Sequence, residues 1–149
     1  MGFFHGIGNN KILGTALLAW FIAQTIKVIH TFIVDKRFNL SRFVGSGGMP
    51  SSHSSFVMGL TTAIGLDKGF DSAIFAVSLA FSLVIMYDAA GVRRAVGKQA
   101  IILNRMIEDI HHKRKLKLTE QRLKELIGHT PIEVLAGAIL GIVVAKLMI

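Results

Sequence analysis

The chain contains no cysteine, which excludes disulfides and thiolate metal sites. Proline occurs only at Pro50 and Pro131. Acid is scarce: nine Asp and Glu stand against 17 Lys and Arg, a formal net charge of +8. That balance alone suits either nucleic acid or an anionic membrane leaflet. Hydropathy decides between them. Of the 149 residues 52% are hydrophobic, and mean hydropathy is +0.56, high for a soluble domain of this length. The reading is a membrane protein with a basic face on an anionic leaflet and no nucleic-acid partner. Its length suits one membrane-embedded domain, residues 1–149. No cleavable signal peptide is read: a basic n-region and a small-residue cleavage site are both missing.

A membrane span needs about 20 mostly apolar residues. Segments 12–34, 72–90 and 131–149 meet that requirement. Segment 54–66 has only 13 residues and reads as short, tilted or partly re-entrant. Residues 67–71 make a tight turn, and 35–53 a basic, Gly-rich loop. Residues 91–130 form a polar insertion with helical spacing at Ile101, Ile102, Met106, Ile107 and Ile110. A second short helix is predicted over 120–127, capped by Thr119 and ended by Gly128. The charge run 111–117 reads as a solvated or headgroup-facing linker. The expected fold is an all-α integral membrane protein: about four transmembrane helices plus one or two extramembrane cytoplasmic helices.

Loops 35–53 and 91–130 carry 13 of the 17 basic residues. The positive-inside rule therefore places both loops in the cytoplasm and both termini outside. Two histidine motifs, an Arg pair and Asp88 then share one membrane face. Gly137 and Gly141, four apart, suggest close helix packing, either within one chain or in a homo-oligomer.

The two motifs are Gly47-Gly48-Met49-Pro50-Ser51-Ser52-His53 and Gly128-His129-Thr130-Pro131-Ile132-Glu133. Each puts an imidazole beside the unpaired N–H groups of a helix start, which favour anions. Thr130, Pro131 and Glu133 read as a capped helix start. Glu133, four residues after His129, is also placed to fix that ring's tautomer and make it a nucleophile. Ser51 or Ser52 either caps the next helix or binds phosphate, with the Gly48 backbone, beside His53 as general acid. Arg93 and Arg94 are positive-inside anchors or phosphate clamps. Lys98 adds charge nearby. Asp88 is expected to pair with one of these three bases; no second carboxylate is spaced to help it hold a metal. Lys27 is explained by snorkelling. His30 is a candidate for the bundle interior, and Asn104 and Arg105 are placed to close over the site.

These motifs, with Tyr87-Asp88-Ala89-Ala90-Gly91-Val92-Arg93-Arg94, resemble the type 2 phosphatidic acid phosphatases, which are related to vanadium haloperoxidases. Most of the chain is similar to the divergent branch of that superfamily, small bacterial and plant membrane proteins. Pro50-Ser51-Ser52-His53 matches the P-S-G-H signature with Ser for Gly. His129 and Glu133 match the second half of S-R-x5-H-x3-D, with Glu for Asp. The resemblance implies that His129 is the nucleophile, Glu133 its orienter and His53 the general acid. The signature Arg has no clean match, since position 123 is Leu and Arg122 lies one residue off. Arg93 or Arg94 is expected to replace it. In K-x6-R-P, Lys36 and Arg42 have five residues between them and Phe43 stands for Pro.

The leading expectation is a membrane-embedded, metal-independent phosphatase of a lipid phosphate or polyprenyl-type pyrophosphate. It needs no cofactor and sits in a bacterial plasma membrane with a cytoplasmic active face. A non-catalytic lipid-phosphate binding or transport protein, and a structural protein docked on headgroups, are the alternatives.

Overall fold

The computed structural model describes residues 3–35, 48–114, 123 and 128–149. Its helices are α1 (Phe3–Gly8), α2 (Lys11–Asp35), α3 (Ser52–Lys68), α4 (Ala73–Ala90), α5 (Val92–Arg114) and α6 (Pro131–Met148). Among the described residues three stretches are long and apolar enough to cross a membrane: Lys11–Ile33, Ala73–Glu108 and Pro131–Met148. The second runs from α4 into α5 across Gly91. Its apolar half is α4, because α5 carries Arg93, Arg94, Lys98 and Arg105. The protein is an all-α membrane protein. The predicted helix 120–127 except Leu123, Arg42 and most of loop 35–53 lie outside the described residues. Helix α5 is longer than the apolar spacing of its sequence implied, because it begins directly after α4.

The short segment becomes α3, and it is the centre of the bundle. It packs on α6, α2 and α4. At about 1.5 Å per residue its 17 residues reach about 25 Å, slightly less than the hydrocarbon core. Its sequence is Ser-, Thr- and Gly-rich because it faces helices on three sides rather than lipid. Ser55 Oγ donates to the Ala19 carbonyl of α2 at 2.9 Å. Thr61 Oγ1 lies 2.7 Å from both Ser78 and Ser82 Oγ of α4, and Ser82 Oγ donates to the Val57 carbonyl. Such bonds join helices where lipid offers no hydrophobic drive.

Gly137 and Gly141 of α6 lie against α3. A Cβ on Gly137 would overlap the Ser51 carbonyl, and one on Gly141 would overlap the carbonyl of Ser55. Their spacing therefore serves packing within the chain, and it no longer supports a homo-oligomer. On α2 the inward stripe is Ala16, Ala19, Ala23 and then Lys27, all buried. Outward faces carry large exposed apolar side chains such as Phe21, Val77, Val84 and Leu135, as lipid contact requires.

Candidate functional site

The helix starts of α3 and α6 meet the α4–α5 junction on one side of the bundle. Backbone bonds join the three segments. Ser51 N donates to the Glu133 carbonyl at 2.9 Å, and His129 N donates to the Ala89 carbonyl at 3.0 Å. A Cβ on Gly128 would overlap the backbone of Arg94, so only glycine allows that approach. Gly48 has a positive φ of 86°, and its α-carbon lies over the stem of Lys27.

This packing brings His53 and His129 together. Their ring centroids are 6.0 Å apart, edge to face. His53 is exposed, whereas His129 is 1% exposed. Neither ring nitrogen of His129 has a hydrogen-bond partner among the described residues. Burial, then the charge of Lys27, then His53 and Arg93, lower its pKa from 6.5 to about 4. The ring is therefore neutral at pH 7, with a lone pair free to act.

Several expected residues are occupied differently. Glu133 does not hold His129. Its carboxylate accepts from Thr130 N at 3.0 Å while Thr130 Oγ1 accepts from Glu133 N at 3.3 Å, a complete capping box. The cap wins because it forms within one turn, without reaching back past the backbone to the ring. Ser51 likewise caps α3: its buried hydroxyl accepts from Ser54 N and Ser54 Oγ. Ser52 is buried beside it. Arg93 Nε donates to Asp88 at 2.6 Å, in a half-exposed ion pair. Arg94 and Lys98 are exposed on α5. His30 is exposed and does not enter the interior. Asn104 binds the backbone of Leu123 through both its amide atoms, at 3.0 and 3.1 Å. Among the described residues, no three His, Asp or Glu side chains cluster as a metal site would require.

Lys27 is the residue that sequence reasoning undervalued. It is 3% exposed, beneath Gly48 and within electrostatic reach of both histidines. Snorkelling does not describe it. The available signal was its place on the Ala16–Ala19–Ala23 stripe, the face that packs inward.

The model of the Divergent PAP2 family matches residues 8–144, which include every residue of this constellation. The chain belongs to the Divergent PAP2 family. It is also 41% identical over 149 residues to uncharacterized membrane protein YuiD of Bacillus subtilis (strain 168), with 94% of each chain covered. No solved structure matches it.

Proposed function

We propose that this member of the Divergent PAP2 family is a metal-independent phosphatase of a lipid phosphate or pyrophosphate, working through a phosphohistidine. The observation that carries this reading is the pair itself: a buried, neutral His129, whose ring nitrogens have no partner among the described residues, 6.0 Å from His53. A ring nitrogen of His129 attacks phosphorus in line, the N–P bond forms and the P–O bond to the lipid breaks. His53, the exposed member, gives its proton to the leaving oxygen. Water then attacks the phosphohistidine and returns a proton to His53, and phosphate leaves with His129 restored. Lys27 and Arg93 supply positive charge at the oxygens, with the helix starts of α3 and α6. Lys27 thus takes the place of the broken Lys signature, and Glu133 acts through the cap that fixes the His129 turn. Arg94, Lys98, Ser52 and Gly48 remain phosphate-binding candidates, and Arg42 of loop 35–53 is a further one. The working side is the cytoplasmic side of a bacterial plasma membrane, from the charge bias of the loops.

The test is phosphate release by the purified protein from a panel of lipid phosphates and pyrophosphates, with His129→Ala and His53→Ala alongside. Release without added metal, lost in His129→Ala while the variant melts cooperatively, is expected. Equal release by parent and variant sinks the mechanism.

One observation favours a second reading, lipid-phosphate binding or transport without hydrolysis. Glu133 is spent on the cap, so among the described residues no carboxylate orients the His129 ring. Saturable binding with no release on long incubation would select it.

A further inference from the structure

A cavity of about 420 Å³ opens beside His53, lined by Leu17 and Trp20 of α2, Phe56 and Val57 of α3, and Phe81 and Ile85 of α4. Among the described residues, His53 is its only ionisable lining residue. Helices α2 and α4 both pack on α3 but make little contact with one another, so α3 forms the floor of a groove and the other two its walls. The lining runs from His53 to Val57 on α3 and from Phe81 to Ile85 on α4, about 6 Å along each helix axis, with Leu17 and Trp20 facing them from α2. The groove therefore starts at His53 and enters the apolar part of the bundle on the side of the leaflet nearest the histidine pair. Apart from His53 its walls are apolar or aromatic, and Leu17 and Phe81 at its edge are exposed apolar side chains of the kind that meet acyl chains.

We infer that this groove holds one hydrocarbon chain of a lipid phosphate drawn sideways from that leaflet between α2 and α4, with the phosphate against His53 and His129. A protein partner would need a polar rim and a larger face; a lipid chain needs only apolar walls and continuity with the bilayer. Any second chain stays in the membrane outside Phe81. Short-chain and free phosphates lack the part the groove recognises. The inference rests on the histidine pair as the phosphate site, but it does not require hydrolysis.

Trp20 is the only tryptophan in the chain, so its fluorescence reports on the groove alone. The purified protein is placed in phosphatidylcholine nanodiscs with rising mole fractions of a hexadecyl phosphonate brominated along its chain. The brominated alcohol of the same chain serves as comparison. The phosphonate is expected to quench Trp20 with saturation at low mole fraction, and the alcohol only in proportion to its abundance. Unlabelled hexadecyl phosphonate should relieve the quenching; butyl phosphonate and inorganic phosphate should not. Ile85→Phe narrows the groove and should weaken apparent affinity about tenfold, a change of about 1.4 kcal/mol. Val84→Phe, on the lipid-facing side of α4 at 66% exposure, should leave it unchanged. Identical proportional quenching by phosphonate and alcohol overturns the inference, even if Ile85→Phe fails to fold. So does equal affinity in Ile85→Phe and Val84→Phe. Saturable quenching without phosphate release keeps the groove and removes the phosphatase reading; release without saturable quenching does the reverse.

Discussion

A buried imidazole stays neutral only if the fold holds its pKa down, and that has a cost that can be measured. His129 has a pKa of about 4 in the fold and an ordinary value of 6.5 when unfolded. Between those values the unfolded chain binds more protons than the folded one, so stability falls as pH falls from about 6.5 to 4. The full effect is about 3 kcal/mol at the acid end. Melting of the detergent-purified protein should drop across this window more steeply than melting of His129→Gln. Parallel slopes would show that His129 is not held neutral by burial. Arg93 makes a different case. Its half-exposed pair with Asp88 is worth about 0–1 kcal/mol, so Arg93→Ala should barely move the melting temperature. If Arg93 clamps phosphate, the same variant raises the dissociation constant for hexadecyl phosphonate about tenfold, equivalent to about 1.4 kcal/mol. A lower melting temperature with unchanged affinity would instead make it an anchor of the α4–α5 junction.

At the scale of the element, α3 shows what was legible in the sequence and what was not. The three lipid-facing helices announced themselves by length and hydropathy, and α6 by its Thr130 cap and Pro131. α3 was the least membrane-like segment, yet it lies at the centre of the bundle. A helix enclosed by α2, α4 and α6 needs small residues for close approach and hydroxyls for its partners, not an apolar surface. Hydropathy measures contact with lipid, so it understates such a helix. The same limit hid Lys27, since a single positive charge near a span end has a bland explanation until its face is known. The two histidine motifs were legible because glycine and proline mark both helix starts. The roles of Glu133 and Ser51 were not, because a cap and a catalytic contact use the same residue types at the same spacing. The close approach of α3 and α6 gives a direct test. Gly141→Leu must push its side chain into the carbonyl of Ser55, and should cost about 1–3 kcal/mol of stability. Gly14→Ala, with nothing within 4 Å of its added carbon, should be neutral or stabilising by up to about 1 kcal/mol. Equal melting of both variants would mean that α6 does not pack on α3 through this face.

For the whole molecule, charge and topology bear on one question, which leaflet the histidine pair serves. The site lies where α3 and α6 begin and α4 ends, so it shares a side with the α5 bases Arg93, Arg94, Lys98 and Arg105. The end of α3 and the turn into α4 lie at the opposite end and hold Asp67, Lys68 and Asp71. An excess of Lys and Arg in short loops retains them in the cytoplasm. The pair should then draw lipid from the inner leaflet. The absence of cysteine makes this simple to measure, because any introduced thiol is the only one. Asp71→Cys and Arg105→Cys are both at exposed positions. An impermeant maleimide added to intact cells should label Asp71→Cys at once. Arg105→Cys should react only after the membrane is opened. The reverse pattern would turn the site outward, and the lipid phosphate to seek would then be one delivered to the outer leaflet.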